Sequence, residues 1–267
     1  MRIIDCHVHV RGPADAGEIV RQMDANGVER MLLLSVTERA SLAKTRENLL
    51  ATKKLFDAAP DRLSGLAWVN PAIEGIADLA AEALTEMGYA GIKIIPDHWF
   101  AHEQRLAGFW QRLDELKAAI LFHTGILYGY EDGSRFCRPV YLETMMHYPN
   151  IRFAMAHVSW PWCEECLAVM GRMRAAASRG GVPEWQSYVD ITPGTPRHIR
   201  RQALANAIDF CGPERILFGT DSKVPGNLTY QKQCIERDTA IFDELGLDEA
   251  AQQRIFAGTA EELFGIG

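Results

Sequence analysis

The sequence predicts a single (β/α)8 barrel over residues 1–267, with an extra helix at its C-terminal end. Short β-branched or apolar runs alternate with longer stretches of helical spacing along the whole chain, as parallel strands joined by helical crossovers require. There are eight such runs, with no domain-sized linker, internal repeat or low-complexity tract between them. The 267 residues are 48% hydrophobic and 24% charged, enough for one large core, and barrels of this kind run to about 250 residues as one unit. An open doubly wound sheet is the competing architecture.

In chain order, Ile3–Val10 reads as the first strand, and the helical spacing of Ala16–Ala25 stops at Asn26-Gly27, a pair suited to a left-handed helix end. Arg30–Val36 is the second strand, followed by a helix over Arg39–Ala58. Leu63–Val69 and Ile76–Met87 form the third unit, stopped by Gly88. Gly91–Ile95 with Glu103–Ala118, and Ile120–Thr124 with Pro139–His147, are the fourth and fifth. Arg152–His157 precedes a helix over Pro161–Ser178, and Ser187–Ile191 one over Pro196–Phe210, each proline standing where a first helical turn begins. Ile216–Thr220 and Leu228–Leu245 complete eight units, and Asp248–Phe264 reads as the added helix.

A net charge of −7 argues against nucleic acid or an anionic membrane as main partner. The longest apolar runs, such as Met31–Val36, are strand-sized and far below the ~18 residues of a membrane span. The N-terminus enters a strand without an apolar leader, so the expected compartment is cytoplasmic. Six cysteines at 6, 137, 163, 166, 211 and 234 read as reduced thiols, and Cys163-x-x-Cys166 as structural ones. The expected partner is a small-molecule substrate, with a homo-oligomer left open.

His7 and His9 stand two apart near the end of the first strand, so both imidazoles face one side. His123 closes the fifth strand, His157 the sixth and Asp221 the eighth. In a parallel barrel all strands open on one face, which brings these five groups to one mouth. Burying them together unsatisfied costs on the order of 1–3 kcal/mol per group, and a divalent cation satisfies them at once. Histidine with carboxylate suits Zn²⁺ best, and Fe²⁺, Mn²⁺ or Co²⁺ also fit.

Through Asp5-x-His7-x-His9, His123, His157 and Gly219-Thr220-Asp221, the chain resembles the amidohydrolase superfamily over nearly its whole length. The resemblance is to the amidohydrolase-related branch of metal-dependent TIM-barrel hydrolases and decarboxylases. It implies His7, His9, His123 and Asp221 as metal ligands. His157 would be a ligand in a two-metal relative, or a substrate-facing acid, base or orienter in a one-metal one. Lys93, in the apolar run Gly91-Ile92-Lys93-Ile94, resembles the strand-four lysine that is carboxylated in dihydroorotase-like relatives; an ammonium contacting a carboxylate or substrate is the other reading. One metal ion is favoured over two. The sequence departs from the family in Val158-Ser159-Trp160-Pro161-Trp162 and Ser222-Lys223-Val224-Pro225, which bears on the substrate and not on the metal.

The long aromatic loop after the fifth strand carries Arg135 and Arg138, which would fork onto a carboxylate or phosphate or else pair with Glu131, Asp132 or Glu143. Trp160, with Trp99 and Trp162, would wall the pocket or pack over the rim. The expectation is a hydrolase acting on a small, carboxylated lactone, amide or ester. The metal would polarise the carbonyl and acidify a water, with Asp221 as proton shuttle and His157 beside it. Non-oxidative decarboxylation of an unsaturated or aromatic acid is the alternative, and a non-catalytic, metal-stabilised binding barrel the third.

Overall fold

The computed structural model describes residues 1–267, and all of its strands are parallel. In chain order the main elements are β1 (Ile4–Val10), α1 (Ala16–Asn26), β2 (Arg30–Leu34), α2 (Leu42–Ala58), β3 (Leu63–Trp68) and α3 (Ile76–Thr85). There follow β4 (Gly91–Ile94), α4 (Ala107–Glu115), β5 (Ala119–Phe122), β6 (Arg152–Met155), α5 (Cys163–Ser178), β7 (Ser187–Asp190) and α6 (Arg197–Cys211). The chain ends with β8 (Ile216–Leu217), β9 (Ser222–Val224), α7 (Thr229–Glu244), α8 (Glu249–Gln253) and α9 (Thr259–Phe264). The strand order β8-β7-β6-β5-β4-β3-β2-β1-β9 is that of a barrel wound once around.

The eighth strand, read over Ile216–Thr220, is the shorter β8, and a ninth strand, β9, follows it where none was expected. β8 pairs with β7 and β9 pairs with β1, so the two close the ring, with the Phe218–Asp221 turn between them. Cys6 N donates to Phe218 O at 3.1 Å and Asp221 N to His7 O at 2.9 Å, so β1 grips that turn as well. Asp221 stands at φ 59°, a left-handed conformation no regular strand contains.

Two further expectations are corrected. Pro139–His147 is a 3₁₀ helix: its buried residues Pro139, Leu142 and Met145 recur every third position, the period of a 3₁₀ turn. Asp248–Phe264 is α8 and α9 joined by a π-helical turn at Arg254–Gly258. The boundaries of α1 follow the sequence: Asp15 accepts from Glu18 N at 2.7 Å, and Gly27 ends the helix at φ 71°.

Strand alternation divides the core. Outward side chains such as Val8, Met31, Leu33, Ile92, Ile94 and Phe122 join a 56-residue cluster with the helices. Inward ones such as Ile4, Leu32, Leu66, Leu121 and Tyr188 form a 16-residue cluster with Ala257, Ala260, Leu263 and Phe264 of the C-terminal helical segment. That segment seals the bottom of the barrel with apolar side chains, of which Leu263 and Phe264 are each worth about 1.5–3 kcal/mol when fully buried. The top of the interior is polar. No helix is long and apolar enough to cross a membrane, and all six cysteines are buried free thiols.

Candidate metal centre and cleft

Strict alternation along β1 would put Asp5, His7 and His9 on one face. Against β2, however, Asp5 pairs with Met31 and Val8 with Leu33, three steps on one strand against two on the other. The extra residue is a β-bulge, which redirects the side chains after it. Cys6 stays with the interior cluster and His9 lines the cleft, whereas Asp5 turns toward α7, where Gln231 donates to it at 2.8 Å. Asp5 also accepts from Thr220 N at 3.0 Å and Thr220 Oγ1 at 2.5 Å. Its carboxylate thus ties the turn carrying Asp221 to the strand carrying the histidines. Burial raises the Asp5 carboxyl to about 6, with the Gln231 and Thr220 hydrogen bonds opposing it.

His7, His9 and Asp221 each offer a ligand atom, and these atoms lie within 4.8 Å of one another; they are the chain's one such cluster of three or more donors. Asp221 Oδ1 is 3.0 Å from His9 Nε2 and 3.9 Å from His7 Nε2. Two ligands at about 2.1 Å from a tetrahedral ion stand about 3.4 Å apart, between those distances, so the three donors fit a divalent ion. His7 is prepared for this by Asp190, whose Oδ2 is 2.7 Å from His7 Nδ1. A carboxylate there holds the proton on Nδ1 and leaves Nε2 with its lone pair toward the site. Asp190 Oδ1 accepts from Thr192 N at 2.7 Å, which fixes the carboxylate in turn. Sequence reasoning missed Asp190; the available signal was a carboxylate ending the apolar strand Tyr188-Val189-Asp190.

His123 and His157 sit beside the triad rather than in it. Their rings are 4.9 Å apart, and His157 is 5.4 Å from His7. His123 Nε2 faces Ile126 O at 3.3 Å, so the four-ligand set that the resemblance implies is gathered here as three. His157 Nδ1 lies 3.0 Å from Pro193 O, which makes Nδ1 the donor and Nε2 the acceptor of the neutral ring. His157, Val158 and Ser159 have φ of 61°, 47° and 54°. Left-handed backbone costs L-residues about 1–2 kcal/mol each. It is held by Ser159 Oγ donating to Thr124 Oγ1 and Thr124 Oγ1 donating to Ala156 O, both at 2.8 Å. Such strain in a polar mouth is characteristic of functional sites.

Burial lowers His7, His9, His123 and His157 below the ordinary imidazole range, the direction that favours the unprotonated ring a ligand or acceptor needs. Burial would raise Asp221, but the His9 hydrogen bond and the electrostatic pull of the His7, His9 and His157 rings outweigh it and hold the carboxyl far below its usual range. Lys93 is fully buried, 3.5 Å from His7 Nε2, with no carboxylate oxygen within ion-pair distance. Burial brings its ammonium down to about 8, against the opposing fields of Asp190 and Asp221.

Above the triad a cleft of about 800 Å³ opens between the loops. Trp160 lines it, as do Trp68, Tyr128 and Tyr130. Trp99 is buried in the core with its indole N–H on Asn70, and Trp162 lies under Arg138, off the cleft. Arg135 and Arg138 are not on the cleft wall either. Arg135 pairs with Asp132 at 2.9 Å and covers Phe136, while Arg138 pairs with Glu165 at 2.5 Å. Arg135 is captured within its own 3₁₀ turn, Glu131–Phe136, whereas Arg138, just before the 3₁₀ helix Pro139–His147, is captured by Glu165 of α5. The cations that do line the cleft are Arg11, Arg39 and Lys223.

The sequence profile of the amidohydrolase family matches residues 4–266. Comparison with curated proteins gave no match. Among solved structures the chain is similar to the 5-carboxyvanillate decarboxylase of Sphingomonas paucimobilis, at 15% identity and TM-score 0.72, covering 100% of this chain and 99% of that one. It is also similar to a probable 2-pyrone-4,6-dicarboxylic acid hydrolase of Acinetobacter baumannii, at 17% identity and TM-score 0.66, covering 99% and 100%. A manganese-containing 5-carboxyvanillate decarboxylase of Novosphingobium aromaticivorans matches at 14% identity and TM-score 0.71, covering 98% and 96%. At these identities the structural likeness speaks for the barrel alone, and the profile match over nearly every residue identifies the chain as a member of the amidohydrolase family, in its type 2 branch.

Proposed function

We propose that this chain is a metal-dependent hydrolase of a small, carboxylated lactone, amide or ester. The carrying observation is the convergence of His7, His9 and Asp221 beneath the cleft, with Asp221 37% exposed while the histidines are buried. A divalent ion held there, zinc in first place, supplies Lewis acidity that polarises a carbonyl and acidifies water. His123 is the fourth ligand in this reading. Asp221, ionised and open to the cleft, accepts a proton from water as the water oxygen bonds to the carbonyl carbon. It returns that proton to the leaving oxygen or nitrogen as the C–O or C–N bond breaks. His157, donating Nδ1–H to Pro193, presents an acceptor that orients a substrate hydroxyl or the water.

Decarboxylation is the second reading, favoured by the decarboxylases among the similar structures. It requires a proton to be delivered to carbon as CO₂ leaves, whereas hydrolysis requires one to be accepted first. Asp221, lining the cleft beside the histidines, is placed to accept a proton from water there. A screen of carboxylated lactones and amides beside aromatic and unsaturated acids, run in ¹⁸O-labelled water, tests the assignment. Labelled oxygen in the product is expected. Stoichiometric CO₂ with no label would replace the hydrolase by the lyase.

A further inference from the structure

The cleft is electrically lopsided. Its wall over the ends of β3, β5 and β6 is largely apolar and aromatic, with Trp68, Leu127, Tyr128 and Trp160. Over the ends of β9, β1 and β2 it carries Lys223, Arg11 and Arg39 in an arc. The arc is built into the sheet. His9 pairs with Lys223 in register, while Val8, Val10, Ser222 and Val224 of the same two strands are buried. Arg11 N donates to Val224 O at 2.7 Å, so the residue that follows β1 is fixed beside β9.

Arg39 already has its counter-charge, Asp97 at 2.6 Å. Arg11 and Lys223 form no ion pair at all. The cleft's carboxylates are committed elsewhere: Glu38 accepts the backbone N–H groups of Arg39, Ala40 and Ser41 at 2.8, 2.9 and 3.1 Å, and Asp221 faces the histidines. Two like charges on adjoining strand ends repel, and an anion between them removes the repulsion. Such a pair at the mouth of the main cleft, in a chain of net charge −7, faces the ligand rather than the protein. We propose that Arg11 and Lys223 are the specificity-determining residues that hold a substrate carboxylate distinct from the reacting group, with the substrate's planar body against the aromatic wall. This rests on the hydrolase reading only in placing the reacting group at the triad.

The test is equilibrium binding to the zinc-loaded protein, followed by tryptophan fluorescence or calorimetry, with benzoate and isophthalate as probes. Benzoate has one carboxylate to offer; isophthalate has a second. Wild type is expected to prefer isophthalate by about tenfold, as one exposed charge-assisted contact provides. Arg11→Gln and Lys223→Gln each reduce that preference toward unity with benzoate affinity unchanged, Arg135→Gln leaves it intact, and added salt erases it in wild type alone. Absence of the preference in wild type, equal losses for both probes, or an equal effect of Arg135→Gln overturns the proposal. The hydrolase reading fails separately, if no screened ester, lactone or amide is turned over or if chelation leaves benzoate binding unchanged.

Discussion

Asp190→Asn isolates what a buried carboxylate does for a metal ligand it never replaces. Asp190 uses both oxygens, one for His7 Nδ1–H and one for Thr192 N–H, each at 2.7 Å. An asparagine has one carbonyl oxygen, so its amide nitrogen must face one of these donors. If it faces Thr192 N, two donors meet in a fully buried position. If it faces His7, the imidazole must carry its proton on Nε2, and the lone pair aimed at the metal site is lost. Either way a charge-assisted hydrogen bond disappears, at a cost of about 1.5–3 kcal/mol. Expressed in the metal equilibrium at about 1.4 kcal/mol per decade, that is roughly a 10- to 100-fold weaker site. Competition against a chromophoric chelator with zinc, wild type beside the variant, measures it directly. Near-ultraviolet circular dichroism and urea unfolding of both metal-free proteins show whether the barrel is intact. Wild-type zinc affinity in a folded Asp190→Asn protein would refute the claim that Asp190 sets the His7 tautomer.

Asp221→Asn retains the shape of the carboxylate but cannot accept a proton, so kcat is expected to fall by about 10²–10⁴, with metal content measured on the same sample to separate ligand loss from base loss. Turnover near wild type would remove Asp221 from the proton path. Gly125 has φ 98°, and an added Cβ would run into the Trp160 carbonyl beside the left-handed turn. Gly125→Ala is therefore expected to cost about 2–4 kcal/mol in urea unfolding, from backbone strain plus overpacking; an unchanged midpoint would show that the turn yields freely.

The sequence by itself determined the alternation of strands and helices, because hydrophobic periodicity is local, and it determined which strand ends carry imidazole and carboxylate. The parallel barrel then makes those ends neighbours. His7, His9 and Asp221 were legible in this way, as were Trp160 on the wall and the histidine pair His123 and His157. Only tertiary structure decided the rest. The bulge in β1, which sends Asp5 to α7 and leaves the histidines at the mouth, depends on register against β2, and no pattern within one strand reports that register. Asp190 reads as a lone charge in a strand until His7, 183 positions away in sequence, is laid against it. Arg135 and Arg138 were plausible carboxylate forks by type, but Asp132 and Glu165 reach them first, while Arg11 and Lys223, exposed on the cleft, stay without an ion pair because its carboxylates Glu38 and Asp221 are engaged elsewhere. A charged side chain's role depends on which counter-charge folding brings within a few ångströms, and that is a property of the packed structure rather than of the residue or its neighbours in sequence.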